Sequence, residues 1–257
     1  MTLSDTTVAE LHELAGRYPQ KRSALLPMLH LVQSVEGSVT TEGIERCAEI
    51  LEISTAQVSG VATFYTMYKR RTMGEHHVGV CTNTLCAVMG GDVIFERLKD
   101  HLEVGNDETT ADGKVTLEHI ECNAACDFAP VLTVNWEFFD NQTPESAVEL
   151  VDQLRAGETV KSTRGATITS WREAERVIAG FEDGLVDEGP TAAGASLAGL
   201  EIAHANGWSA GTAPARSGGQ PTTKAGAEAE ADTARAESET VAEESPADVR
   251  GGGSDDD

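Results

Sequence analysis

Two stretches carry four of the five cysteines in this 257-residue chain. They are Gly79-Val80-Cys81-Thr82-Asn83-Thr84-Leu85-Cys86 and Ile120-Glu121-Cys122-Asn123-Ala124-Ala125-Cys126-Asp127-Phe128-Ala129-Pro130. The spacing is C-x4-C, a gap of 35 residues, then C-x3-C. Each pair follows a predicted strand, His76 to Val80 for the first and the run containing Val115, Leu117 and Ile120 for the second. Both strand ends can open onto one edge of a small sheet. Cys81, Cys86, Cys122 and Cys126 are therefore expected to form one site with four thiolate ligands.

Several chemistries use four cysteines. Structural zinc favours tight C-x2-C knuckles, which are absent here. A thioredoxin-type redox pair needs C-x-x-C, also absent. Disulfides need an oxidising compartment. Met1 to Glu13 contains Asp5, Glu10 and Glu13 with no apolar run, so no secretory signal is expected there. A [2Fe–2S] cluster is the leading reading, because its two irons accept wider loops, although plant-type ferredoxins are spaced differently. On spacing alone, zinc and unligated structural thiols stay open.

The cysteines stand in a wider pattern: Gly105-Asn-Asp-Glu-Thr-Thr-Ala-Asp-Gly113 between the pairs, then Glu121-Cys122, Ala125-Cys126 and Ala129-Pro130. From about Leu11 to Gly157 the chain resembles the small iron–sulfur component, the E or 24-kDa subunit, of the NADH-oxidising arm of respiratory complex I (NADH-quinone oxidoreductase). One departure is Asn123-Ala124-Ala125, where that family often has Leu-Gly-Ala; both versions keep small residues beside the ligands. The resemblance implies a thioredoxin-like domain with one [2Fe–2S] cluster on the four cysteines. It implies a partner subunit carrying FMN, the NADH site and a [4Fe–4S] cluster, and a large iron–sulfur subunit nearby. It places the cluster on the far side of the flavin from the main electron path, at the cytoplasmic side of the cell membrane. The equivalent subunits of NAD-linked hydrogenases and formate dehydrogenases share the four-cysteine module, so the cysteines alone do not separate these functions. A zinc-stabilised interaction module without redox chemistry is the alternative from a different class.

Charge narrows the partners. Lys and Arg number 19 against 43 Asp and Glu, a net of -24. Nucleic acid and anionic membrane surfaces both attract basic proteins, so neither is expected. No run approaches the length of a membrane span. No G-x-G-x-x-G or flavin site is readable, and no acid–base pair or nucleophile stands out. Adding an electron to an anionic cluster in an acidic protein is unfavourable, so a low potential is expected unless backbone amides compensate; Glu121 and Asp127 push the same way.

The overall class is α+β: a helical bundle over 1–72, a thioredoxin-like [2Fe–2S] domain over 73–157, a partner-wrapping segment over 158–215 and an acidic tail over 216–257. Residues 1–72 read as helical throughout. Leu11 and Leu14 mark a first apolar face, Met28, Leu29 and Val32 a second. Ile44, Cys47, Ala48 and Leu51 repeat at helical spacing, which makes Cys47 a core residue rather than a ligand. Ser54 and Gln57 form a capping box, with Ile53 and Val58 as its hydrophobic staple. Thr63 to Tyr68 carries more aromatic surface than a bundle core needs, and is read either as core or as a docking surface. His12 and His30 are read as isolated and satisfied locally.

In the second domain Val88 to Leu102 reads as one helix, with Gly90-Gly91 near its start for close backbone approach. Val131 to Val134 and Trp136 to Phe139 read as a strand pair turning near Asn135. Thr143 caps a last helix with Pro144 at its first position and Gly157 as its stop. Beyond it, Ser170 and Glu173 open a short helix over 171–179, with Trp171, Ala174, Val177, Ile178 and Phe181 as apolar positions. Residues 225–257 hold 11 acids and 2 arginines, a composition that favours disorder. Trp208 is the natural anchor of a segment wrapped over the flavin-bearing partner.

Overall fold

The computed structural model describes residues 3–184 and 194–208; the acidic tail lies outside them. Four helices come first: α1 (Asp5–Gly16), α2 (Leu25–Glu36), α3 (Thr41–Leu51) and α4 (Thr55–Phe64). Three start on side-chain caps. Ser4 accepts from the Thr7 amide, Thr40 from the Gly43 amide, and Ser54 completes its box with Gln57. Such caps satisfy amide donors that the helix leaves unbonded. Pro27 falls in the first turn of α2, where a missing N–H is tolerated. Leu11, Leu14, Met28, Leu29, Ile44, Cys47 and Val58 close one core, with Ile53 packed against it.

The helical run stops earlier than the sequence pattern predicts. Tyr65 turns to extended backbone, and 65–75 is irregular. Its polar groups bond elsewhere: the Lys69 carbonyl accepts from Val39 N, Met73 N donates to the Gly37 carbonyl, and Lys69 N donates to Gln33 Oε1. Tertiary partners on the α2–α3 connection replace helix hydrogen bonds here. Tyr68 is buried with its hydroxyl donating to the Leu26 carbonyl, whereas Phe64 is 78 % exposed. The aromatic run thus splits between core and surface.

Five strands follow: β1 (His76–Cys81), β2 (Glu108–Thr109), β3 (Val115–Ile120), β4 (Leu132–Val134) and β5 (Glu137–Phe139), in spatial order β2-β3-β1-β4-β5. Strands β1 and β3 are parallel, with His76 opposite Val115 and Cys81 opposite Ile120; the other pairings are antiparallel. Helices α5 (Thr84–Val88), α6 (Gly91–Leu102) and α7 (Pro144–Ala156) complete the domain. Val78, Val80, Val115, Leu117, Leu132 and Val134 share a core with Ile94, Leu98, Val151 and Leu154 of α6 and α7. These sheet residues alternate along their strands, so the other face of β1 and β3 carries His77, Gly79, Cys81, Thr116, Glu118 and Ile120.

The helix predicted over 88–102 begins three residues later, as α6, and a separate short helix, α5, precedes it over Thr84–Val88. Gly90 sits at φ +111°, a conformation L-residues avoid, and breaks α5 from α6. α7 starts and stops where predicted, on Thr143, Pro144 and Gly157.

Helix α8 (Trp171–Ile178) forms on its Ser170–Glu173 capping box, but it packs on its own chain, against α2. Trp171 and Glu175 are fully buried, while Val177 and Ile178 are exposed. Glu175 accepts from Gln33 Nε2 at 2.8 Å and Trp136 Nε1 at 3.0 Å, and His30 Nδ1 lies 2.6 Å away. His30, read as isolated, thus has a partner 145 residues along the chain. Within the segment 158–215 expected to wrap a partner, residues 158–181 join the helical bundle to the sheet domain of their own chain.

The chain divides into two units, Met1–Ala198 and Gly199–Asp257. A further helix, α9 (Gly194–Ala205), was not anticipated in the sequence; Leu200, Ile202 and Trp208 are exposed.

Candidate metal centre

Parallel pairing builds the site. Because β1 and β3 run the same way in register, both deliver cysteines at the same end of the sheet. Cys81 is the last residue of β1, its amide donating to the Val131 carbonyl at 3.0 Å. Cys122 comes two residues after β3 ends. Cys86 sits in the middle of α5, which Asn83 caps by accepting from the Thr84 amide. The sulfurs of Cys81, Cys86 and Cys122 all lie within 4.8 Å of one another, and all three residues are buried, packed with Val131.

Gly91 explains how close the elements come. A β-carbon there would lie 2.3 Å from the Cys81 carbonyl oxygen and 2.9 Å from that of Cys86. The close approach expected of the Gly90-Gly91 pair is real, and Gly91 is the residue that needs it.

Cys126 stands apart. It is exposed and opens a 3₁₀ turn, Cys126–Phe128. The loop before it holds Asn123 and Ala124 at φ +49° and +67°, two successive left-handed residues without a glycine. Such backbone is held by its surroundings rather than by intrinsic preference. The Ala129–Pro130 peptide is cis. The structure therefore gathers three of the four predicted ligands and leaves the fourth on an adjoining loop.

The electrostatics suit a cation. Burial, then the neighbouring cysteines, push the Cys122 thiol up to about 12. Burial also raises Cys86, against a favourable hydrogen bond from the Val131 backbone. A backbone hydrogen bond from Ala125 favours the Cys122 thiolate in the same way. Three crowded thiols lose their protons readily only to a positive centre, since thiolate ligation releases protons to metal. A sulfur-only donor set in a buried, apolar setting fits an iron–sulfur cluster or zinc. Glu121 and Asp127 are exposed, so water screens their effect on the site. Cys47 lies in the helical core, and burial pushes its thiol up to about 12, in keeping with an inert core residue. Leu85, Val88 and Met89, around Cys86, are exposed apolar residues beside the site.

A family model described as thioredoxin-like [2Fe-2S] ferredoxin matches residues 11–155. The chain is 62 % identical over 195 residues to the E subunit of NADH-quinone oxidoreductase from Mycobacterium tuberculosis (strain ATCC 25618 / H37Rv), covering 76 % of this chain and 77 % of that protein. It is 38 % identical over 146 residues to the E subunit of NADH-quinone oxidoreductase from Rickettsia bellii (strain RML369-C), covering 56 % of this chain and 87 % of that one. Among solved structures, an NAD+-reducing [NiFe]-hydrogenase in the air-oxidized state aligns with a TM-score of 0.47 at 15 % identity, over 52 % of this chain and 23 % of that one.

Proposed function

The chain belongs to the thioredoxin-like [2Fe-2S] ferredoxins, in the family of NADH-quinone oxidoreductase E subunits, and from that premise we propose that Cys81, Cys86, Cys122 and Cys126 together hold its cluster. The observation that carries this reading is the buried trio of sulfurs within 4.8 Å, with the fourth cysteine on the loop that continues from Cys122. A [2Fe–2S] cluster supplies one-electron transfer without bond making.

The chain's own residues set the conditions for that transfer. Burial raises the Cys86 and Cys122 thiols, and the backbone at Val131 and Ala125 works against that rise, favouring the thiolates and offsetting part of the negative charge. Val131 shields the trio from water. An NADH hydride carries two electrons and the cluster accepts one, so a flavin must divide them; neither a flavin nor a nucleotide site is readable in this sequence. FMN and NADH accordingly belong to a partner subunit, with the large iron–sulfur subunit as a second neighbour. The complex sits at the cytoplasmic side of the membrane, and no helix among the described residues is long and apolar enough to cross one. The exposed Leu85, Val88 and Met89 beside Cys86 are the natural face for the flavin-bearing partner, and Phe64 is a second candidate contact. In this reading the cluster is a side carrier that holds an electron transiently or tunes the flavin.

The deciding experiment measures iron, acid-labile sulfide and low-temperature EPR on anaerobically prepared, dithionite-reduced protein from its native host. Two irons and two sulfides per chain are expected, with a one-electron signal that changes on Cys126→Ser and disappears on Cys122→Ser. Stoichiometric zinc without sulfide overturns the electron-transfer role. Within the assembled enzyme, loss of the cluster is expected to alter flavin reoxidation by oxygen more than NADH oxidation. Loss of quinone reduction in an intact, flavin-loaded complex would refute the side-carrier assignment.

A further inference from the structure

Beyond residue 155, where the family match ends, a short hairpin reaches back to the cysteine loop. Lys161 pairs with Thr167, Ser162 N donates to the Ala166 carbonyl at 2.7 Å, and Gly165 turns the chain at φ +100°. Arg164 stands at the tip. Its Nε and Nη2 donate to both carboxylate oxygens of Asp140 at 3.1 and 3.0 Å. Its guanidinium carbon lies 4.1 Å from the ring centre of Phe138 and 5.6 Å from that of Phe128. The side chains of Arg164 and Asp140 are only 14 % and 7 % exposed. Thr163 fastens the hairpin to β5, its amide and hydroxyl both donating to the Phe138 carbonyl, while its hydroxyl also accepts from the Asp140 amide.

Phe128 closes the turn that Cys126 opens, and Phe138 packs against the buried trio. We infer that Arg164 is a positioning residue for the fourth ligand: its guanidinium, aimed by Asp140, pins the ring of Phe128 against β5 and so holds Cys126 toward the other three cysteines. The loop needs such a hold. Two of its residues are left-handed without being glycine, Cys126 is exposed, and no regular strand or long helix fixes it. A planar guanidinium suits the task, since it makes a bidentate pair with a carboxylate in its plane and stacks on aromatic rings with its face. This inference rests on the cluster reading above.

The test is site-resolved alkylation of the cluster-loaded full chain, read by mass spectrometry, with Cys47 as an internal control for global opening. Arg164→Met is expected to speed alkylation of Cys126 about tenfold, leaving Cys81, Cys86, Cys122 and Cys47 near wild-type rates. Arg164→Lys keeps a charge for Asp140 without the stacking plane, and falls between. Phe128→Leu keeps an apolar side chain and removes the ring; it is expected to match Arg164→Met, and carries the test if that variant does not fold. Adding Phe128→Leu to Arg164→Met has little further effect if the two act through one contact. Wild-type Cys126 rates in Arg164→Met and Phe128→Leu overturn the inference, as does equal acceleration of all five cysteines, which marks general destabilisation. A wild-type chain that takes up no iron and sulfide sinks the cluster reading and the inference with it; a loaded wild type with unchanged variants sinks the inference alone.

Discussion

The candidate metal centre is built in two different ways. Cys81, Cys86 and Cys122 sit at the ends of, or within, regular elements whose register is fixed by a parallel strand pair and a shared core. Cys126 sits on an exposed turn after two left-handed residues, tied to the rest through Phe128, Arg164 and Asp140. The first arrangement gets its precision from packing, which resists small displacements because interiors are dense. The second gets it from a few polar and ring contacts beside an exposed turn, which open locally at lower cost. In the proposed four-cysteine site, local opening at Cys126 is expected to cost less than any displacement of the other three, which move with the domain core.

The comparison breaks most directly in the core. Leu117 of β3 is fully buried against α6 and α7, and Leu117→Ala is expected to cost about 2–5 kcal/mol. Urea unfolding measures this. Cys81, Cys86 and Cys122 should become reactive together, because the register that aligns them depends on this core. Reactivity confined to Cys126 would show that the trio does not rely on the sheet. A sharper version is Gly91→Ala. The new methyl has no room against the Cys81 and Cys86 carbonyls, so backbone must shift, at about 1–3 kcal/mol. Reduced iron content should accompany only a small fall in melting temperature relative to Leu117→Ala, since the shift is local to the trio.

Acid probes the rigid half by another route. Glu118 of β3 lies on the same sheet face as Cys81, with His77 Nε2 at 2.7 Å and Lys69 Nζ at 2.5 Å. Burial alone raises the Glu118 pKa, but hydrogen bonds from His77 and Lys69 and their charges overcome it and hold the group at about 2, against an ordinary 4.5. A carboxyl whose folded pKa is depressed stabilises fully above its unfolded value and loses that contribution as pH falls toward the folded one. Stability is therefore expected to decline between about pH 4.5 and pH 2 through this group, on the order of 1–2 kcal/mol after allowing for partial solvent access. Glu118→Gln should flatten that part of a denaturation curve against pH. An unchanged slope in the variant means other carboxylates carry the acid sensitivity.

How legible each half was follows from the range of its interactions. The trio could be read because strand alternation and cysteine spacing are local patterns. So were the caps of α4, α7 and α8 and the core place of Cys47. Strand β2 was missed because two residues carry no periodicity. Helix α8 and its buried Trp171 were legible, but the rest of its buried face was not. Apolar periodicity selected Val177 and Ile178, whereas the structure buries Glu175 against His30, Gln33 and Trp136. A carboxylate inside the protein is stable only with such partners, and they lie up to 145 residues away. Arg164 was invisible for the same reason: an arginine in a polar stretch reads as solvated until Asp140, Phe138 and Phe128 are seen around it. The aromatic run at Thr63 to Tyr68 had to split, because its chain leaves helix at Tyr65 for partners in the α2–α3 connection.

The smallest expected effect tests the strained side of the comparison. Ala124 is exposed at φ +67°, so replacing it with glycine removes a methyl that packs on little. Two terms oppose each other. A left-handed L-residue costs roughly 1–2 kcal/mol that glycine does not, whereas glycine gives the opened chain more freedom, worth roughly 0.5–1 kcal/mol. Strain is the larger, so Ala124→Gly should stabilise the closed loop by up to about 1 kcal/mol. In the loaded chain this appears as Cys126 alkylation slowed by up to about fivefold, with Cys81 unchanged. Faster alkylation at Cys126 would mean that chain entropy outweighs strain here. The loop would then be held closed by its ring and ion-pair contacts despite a backbone under little tension, and Arg164 would bear a greater share of the hold on the fourth ligand.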